Sequence, residues 1–240
     1  NRGSNNASVL LGNGNGTFLP KTDFATGIQP YSVTLGDVNG DGRLDIITAN
    51  RGSNNASVLL GNGNGTFGAA VDYATGTTPF SVTLGDVNGD GRLDIITANL
   101  SSTASVLLGN GDGTFATKTN FATGIGPLSV TLGDVNGDGR LDIITANFTS
   151  NNASVLLGNG DGTFGAAVDY ATGTKPQSVT LGDVNGDGIL DIITANRDSN
   201  TVSVLLGNGN GTFQTQFTFS TGSNSSPRSV TLGDVNGDGK

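Results

Sequence analysis

The sequence predicts an all-β fold of stacked four-stranded antiparallel sheets, and three observations carry the prediction. The run Gly-Asp-Val-Asn-Gly-Asp-Gly occurs five times, opening its Asp series at Asp37, Asp86, Asp134, Asp183 and Asp234, with successive spacings of 49, 48, 49 and 51 residues. Between the runs lie short stretches that alternate apolar with small or polar residues, or that are rich in β-branched residues, bounded by Gly/Asn/Asp turns. Strong helix formers are scarce: Glu and Met are absent, whereas Gly numbers 40. A fixed long period marks a single repeat array over residues 1–240 rather than unrelated domains.

Residues 81–122 show one repeat. Ser81 to Val87 alternates and reads as a first strand, and the Asp/Gly loop follows it. Leu93 to Ala98, apolar on both faces, is the second strand; a polar loop, Asn99 to Thr103, leads to the third, Ala104 to Leu108. Gly109-Asn110-Gly111-Asp112-Gly113 is a hairpin turn, because its Asn-Gly and Asp-Gly pairs supply positive φ. Thr114 to Phe121 is the fourth strand, and Pro127 precedes the next cycle. Repeat cores start near Ser32, Ser81, Ser129, Ser178 and Ser229. Four short strands per repeat, with two apolar faces that one sheet cannot bury alone, predict the blades of a β-propeller. A calcium-binding nonapeptide solenoid would need its Gly/Asp motif every nine residues, and a kelch propeller its double-Gly and aromatic pattern; neither is present. Because the fifth Asp/Gly run is followed by no Leu-Asp-Ile-Ile-Thr-Ala segment, the fold is five repeats with one strand, a second strand, missing at the C-terminal end. Closure at five blades would require residues 229–235 to share a blade with the strand at 7–12.

Composition narrows function. All 20 acidic residues are Asp, and fourteen of them lie in the five runs, three in each of four and Asp234 with Asp238 in the last. Four bound Ca²⁺ would bring the net charge from −9 to −1. Eleven scattered Lys and Arg form no basic stripe, which argues against nucleic acid. No apolar run has membrane-spanning length, which argues against membrane insertion. No signal peptide or initiator Met opens the chain, so the expectation is a mature fragment or excised module. Without Cys, disulfides contribute nothing to stability.

In Asp37-Val-Asn39-Gly-Asp41-Gly-Arg43-Leu-Asp45, side-chain oxygens stand at loop positions one, three, five and nine. The position-seven carbonyl, from Arg43, can add another. Hard oxygens in that number suit Ca²⁺, and no imidazole or thiolate is present for zinc or copper. The same roles fall to Asp86, Asn88, Asp90, Arg92 and Asp94; to Asp134, Asn136, Asp138, Arg140 and Asp142; and to Asp183, Asn185, Asp187, Ile189 and Asp191. Asp234, Asn236 and Asp238 form a partial fifth site. An EF-hand loop begins similarly but needs an acidic twelfth residue and a following helix; here the twelfth residue is Thr48, Thr97, Thr145 or Thr194.

Gly-Asp-Val-Asn-Gly-Asp-Gly-Arg-Leu-Asp-Ile-Ile-Thr-Ala-Asn, followed by Ser-Val-Leu-Leu-Gly-Asn-Gly-Asp-Gly-Thr-Phe, resembles the FG-GAP/VCBS repeat of integrin-α-type β-propellers and bacterial surface proteins. Phe67-Gly68-Ala69-Ala70 and Phe164-Gly165-Ala166-Ala167 match the Phe-Gly element, whereas Phe18, Phe115 and Phe213 keep only the Phe. The resemblance spans the whole chain and implies a propeller with Ca²⁺ in the loop between the innermost and second strands. Rings of that family usually have seven blades, so five repeats depart from its pattern.

Strand direction places the ion loops and the third–fourth turns on one face, and the remaining loops on the other. The first set is nearly invariant among the repeats; the second varies, and variation on a rigid scaffold is where a partner site arises. Just before each first strand, near the axis, stand Tyr31, Phe80, Leu128, Gln177 and Arg228, the candidate ligand residues. Nine Asn-x-Ser/Thr sequons (Asn6, Asn15, Asn55, Asn64, Asn99, Asn147, Asn152, Asn210 and Asn224) reflect a chain rich in Asn, Ser and Thr. His, Cys and Glu are absent, so nucleophile–base chemistry lacks its usual residues. The expectation is a non-enzymatic, calcium-binding module of a secreted or cell-surface protein, with glycans or surface proteins as partners. The alternative is a building block of an extracellular filament or other repeat-based assembly, self-associating through the incomplete blade.

Overall fold

The computed structural model describes residues 1–237 of the chain, so Asp238 of the expected partial site lies outside the described residues. Every element among them is a strand, so no helix is long and apolar enough to cross a membrane. Strands β1 (Asn6–Val9) and β2 (Thr22–Ala25) pair as a two-stranded sheet. Four antiparallel four-stranded sheets follow in simple meander order. The first holds β3 (Pro30–Gly36), β4 (Asp45–Asn50), β5 (Asn55–Leu59) and β6 (Val71–Ala74); the second holds β7 (Pro79–Gly85), β8 (Asp94–Asn99), β9 (Thr103–Leu107) and β10 (Thr119–Ala122). The third holds β11 (Pro127–Gly133), β12 (Asp142–Asn147), β13 (Asn152–Leu156) and β14 (Val168–Ala171). The last holds β15 (Pro176–Gly182), β16 (Asp191–Asn196), β17 (Thr201–Leu205) and β18 (Phe217–Ser220). These are blades of a β-propeller, one per repeat.

Each second strand is buried along its whole length, because neighbouring sheets cover both of its faces, and this is why Asp-Ile-Ile-Thr-Ala-Asn shows no alternation. The core is accordingly divided among the blade junctions. Ile47 and Val58 meet Val82, Ile95 and Leu107 across the first junction, and equivalent residues repeat the pattern at the next two. An edge-to-face ring pair closes the outer rim of each junction: Phe24–Phe67, Tyr73–Phe115, Phe121–Phe164 and Tyr170–Phe213, at centroid distances of 5.1, 5.3, 5.2 and 5.4 Å.

At the axis, the N–H of Val82 donates to Ser32 Oγ at 3.3 Å, and Val130, Val179 and Val230 donate likewise to Ser81, Ser129 and Ser178. A leucine of the next innermost strand lies over a glycine of the last: a Cβ on Gly36, Gly85 or Gly133 would come within 2.5 Å of Leu84, Leu132 or Leu181.

Three expectations are corrected. The fourth strand does not run from Thr114 to Phe121; Gly109 and Phe115 form an isolated bridge, and regular pairing resumes only at Thr119. The first strand begins at Pro79 and ends at Gly85, because Asp86 and Val87 already belong to the loop. Residues 229–235 form no strand, since no second strand among the described residues pairs with them, and β1 pairs with β2 alone. They nevertheless dock in the innermost position: Val230 makes the axial bond to Ser178, and Leu232 lies over Gly182. Two sequons are also buried, for Asn99 and Asn147 end β8 and β12 with no solvent exposure.

Candidate functional site

The ion-loop face is built by backbone geometry. Gly40 and Gly42 hold φ of 74° and 79°, which L side chains avoid, and this curls the loop around Asp37. Asp37 Oδ1 accepts from the N–H of Gly40 at 2.7 Å and of Asp41 at 3.2 Å, while Oδ2 accepts from Gly42 at 2.8 Å. Asn39 Oδ1 accepts from the Asp41 N–H, and Asp41 Oδ1 from the Arg43 N–H. Asp45, at position nine, is fully buried and joins two loops: Oδ2 accepts from the Val38 N–H at 2.9 Å, and Oδ1 from the Gly61 N–H at 2.7 Å. The loops at Asp86, Asp134 and Asp183 repeat this set, with Asp94, Asp142 and Asp191 as the buried bridges. In the fifth loop Asp234 accepts from the Asn236 and Gly237 N–H groups.

Charge in these loops follows from the bonds. The Gly42 N–H, outweighing burial and aided by Gly40, holds the Asp37 carboxyl below the usual carboxylate range, and Asp183 behaves alike through Gly188. Burial pushes Asp94 and Asp142 upward, and the like charges of Asp90 with Asp86, and of Asp138 with Asp134, add to it against the donors at Gly109 and Gly158.

The donor set suits a hard divalent cation, being carboxylate, amide and carbonyl oxygen without nitrogen or sulfur ligands. Among the described residues no three acidic side chains converge on one metal position. Their oxygens are turned instead onto the loop's own N–H groups, and Arg43, Arg92 and Arg140 Nη1 approach the position-five Asp at 3.9, 3.8 and 3.7 Å. Ile189 takes that place in the fourth loop.

The opposite face carries the varied loops. The backbone joins them in pairs, Arg51 N–H to Gln29 O, Leu100 to Thr78, Phe148 to Gly126 and Arg197 to Lys175. The structure brings Tyr31 and Phe80 together edge-to-face at 4.6 Å. Leu128 and Gln177 occupy the same register position in β11 and β15, and Arg228 precedes the last innermost segment. Sequence reading did not single out the cations that flank these rings. The Arg2 guanidinium lies 5.9 Å from the Tyr31 ring centre and that of Arg51 lies 5.2 Å from Phe80. Phe148 faces both Lys175 at 5.5 Å and Arg197 at 5.2 Å. The residue after each loop-opening Asn was the available signal: Arg2, Arg51, Leu100, Phe148 and Arg197.

A buried polar relay beneath this face was also missed. Thr48 donates to Asn50 Oδ1, Asn50 Nδ2 to Ser57 Oγ, and Ser57 to Asp72 Oδ1, while the Gly27 N–H reaches the same Ser57 oxygen. The relay recurs through Asn99 and Ser105, Asn147 and Ser154, and Asn196 and Ser203.

No curated protein sequence matches the chain. Among solved structures it is similar to an Agrocybe aegerita lectin described as recognising non-reducing terminal N-acetylglucosamine: 27% identity, TM-score 0.59, over 88% of this chain and 60% of the lectin. A putative 6-phosphogluconolactonase of Bacteroides uniformis (18% identity, TM-score 0.68, 93% of this chain and 67% of that one) shares the fold. So does a periplasmic gluconolactonase of Pseudomonas aeruginosa (17% identity, TM-score 0.68, 92% and 64%). The chain therefore spans less than two thirds of the lectin's length. The model of the FG-GAP-like repeat matches residues 1–48, 37–97, 86–145, 134–194 and 183–240, so the chain belongs to the FG-GAP-like repeat family.

Proposed function

We propose that the chain is a calcium-binding, non-enzymatic recognition module of a secreted or cell-surface protein, with glycans as its first candidate partners. The observation that carries the calcium part is the in-register recurrence of one hard-oxygen set, at positions one, three, five and nine, in four loops. Asp37, Asn39, Asp41, Asp45 and the Arg43 carbonyl would hold the ion in the first loop, as would their counterparts in the next three. A divalent charge there would offset the mutual repulsion of three carboxylates and tie the ion loop to the third–fourth turn, which Asp45 already bridges. The lectin likeness supports glycan recognition, and the lack of His, Cys and Glu supports a non-enzymatic role.

Thermal unfolding with and without chelator tests the calcium part. Extracellular modules bind calcium with Kd of about 10⁻⁴ to 10⁻³ M. Calcium at a hundred times Kd therefore adds about 2.7 kcal/mol per site. A midpoint unmoved by calcium would discard the ion's role, while a glycan array read separately tests the partner class.

A further inference from the structure

The two faces of the propeller differ in charge more than the net value of −9 suggests. Of eleven cations, five (Arg2, Arg51, Lys175, Arg197 and Arg228) lie in the varied loops, and of 20 Asp residues only Asp198 does. Asp198 is bound on both sides, by Lys175 at 2.7 Å and Arg197 at 2.7 Å. Arg51 has no carboxylate partner among the described residues; its guanidinium rests on Phe80, and its Nε is buried without a hydrogen-bond acceptor. That Nε is closed to solvent and so to any ligand, whereas the Nη groups, which nothing among the described residues accepts from, are the donors left for an acceptor supplied from outside. Tyr31, half exposed, carries Arg2 and touches Phe80, so the two rings and two cations form one continuous strip.

The backbone of this face is held in place. Gln29, Thr78 and Lys175 all sit in the left-handed region, with φ of 56°, 60° and 56°. Each N–H is fixed by an Asn side chain of the preceding repeat, Asn5, Asn54 and Asn151, at 2.9, 2.7 and 2.8 Å. Such positions persist where surrounding contacts over-determine them, and they cluster at ligand clamps.

We infer that this face binds an acidic carbohydrate, its carboxylate groups taken by Arg51 and Arg2 and a sugar ring stacked on the exposed Tyr31. The inference rests on the glycan-recognition reading above and narrows it to one face and one ligand charge. Cations set beside aromatic platforms match a ligand that alternates negative groups with apolar ring faces. A molecule of net −9 repels polyanions, so affinity for one has to come from this local patch.

The test is calorimetric titration with oligogalacturonate, its methyl ester and poly-aspartate, in chelator and again in calcium. Oligogalacturonate is expected to bind in both, more tightly than the other two, and more weakly as salt rises. Arg51→Gln and Arg2→Gln should each weaken binding roughly fivefold, as loss of one partly exposed ion pair does. Arg51→Lys keeps the charge but not the planar donors stacked on Phe80, so it should weaken binding less than Arg51→Gln does, and Lys21→Gln, an equal charge change on the outer rim, should leave it unchanged. Unaltered melting of each variant confirms the fold. Equal binding of poly-aspartate would overturn the carbohydrate assignment. Binding of neutral glycans without oligogalacturonate would overturn the inference while leaving glycan recognition intact, and uniform weakening by Lys21→Gln would overturn the choice of face.

Discussion

Replacing Asp94 separates what the loop carboxylates do for the fold from what they do for an ion. Asp94 has no solvent exposure, and its two oxygens accept from the N–H groups of Val87 at 2.9 Å and Gly109 at 2.8 Å. Asp94→Ala leaves both donors buried without partners, each costing about 1–3 kcal/mol, so a loss of about 2–6 kcal/mol is expected in chelator. Asp94→Asn keeps one acceptor and orphans one donor, and it also removes a carboxylate that burial and the charges of Asp90 and Asp86 disfavour. Its loss should stay near the low end of one orphaned donor, about 1 kcal/mol. Urea unfolding in chelator reads both values, and amide exchange at Val87 and Gly109 shows whether the damage is local, as it should be in an array stabilised by nearest neighbours. In calcium each variant should lose the ion's contribution as well. A loss below about 0.5 kcal/mol for Asp94→Ala in chelator, the size of an ordinary surface change, would refute the clamp, as would a defect seen only when calcium is present.

Two further outcomes follow from the loop geometry. Gly126 (φ 71°) occupies the place held by Gln29, Thr78 and Lys175 in other repeats, and there Ser102 replaces the clamping Asn. Gly126→Ala should therefore cost about 1–3 kcal/mol, with part of it regained by adding Ser102→Asn, as measured by urea unfolding. Asp112 and Asp161 are held below the usual carboxylate range first by the hydroxyls of Thr114 and Thr163, then by the same residues' N–H groups. Their stabilisation is complete above 3.8, the ordinary carboxylate value, and is lost as pH falls through the lowered folded values. Asp94 and Asp142, being raised, contribute in the opposite sense, losing stability as pH rises through their folded values. Carboxyl carbon titrations in chelator should place the two pairs on opposite sides of that value. Asp112→Asn and Asp161→Asn should flatten the acid limb, since Asn15, Asn64 and Asn210 make the same bonds elsewhere without titrating.

Strand order and the two loop faces were legible because they depend on period, turn chemistry and the doubly apolar second strand, all local properties. The fourth strand was misjudged because Thr114-Phe115 looks continuous with Thr119 in sequence, whereas Phe115 makes only an isolated bridge to Gly109 that closes the turn, as Phe18 does with Gly12 without any ring partner among the described residues. The relay from Thr97 through Asn99 to Ser105 was hidden within an apolar-looking stretch. Its polar atoms satisfy one another only once the second and third strands are in register. Oxygen-rich loops could be named from spacing alone, but where each oxygen turns depends on competition between loop N–H groups and a cation, which residue types do not encode. The pairing of Arg51 with Phe80 joins residues of different repeats, so no window of one repeat contains it.

The serine-to-valine bond and the leucine seated over glycine recur at each step around the axis, including the step onto residues 229–235. Such a coupling is modular: any unit offers its successor the same socket that it took from its predecessor. Gene duplication or loss of a whole unit would thus leave every surviving joint chemically unchanged. Selection could in this way lengthen or shorten the array while the loops on its varied face diverge independently.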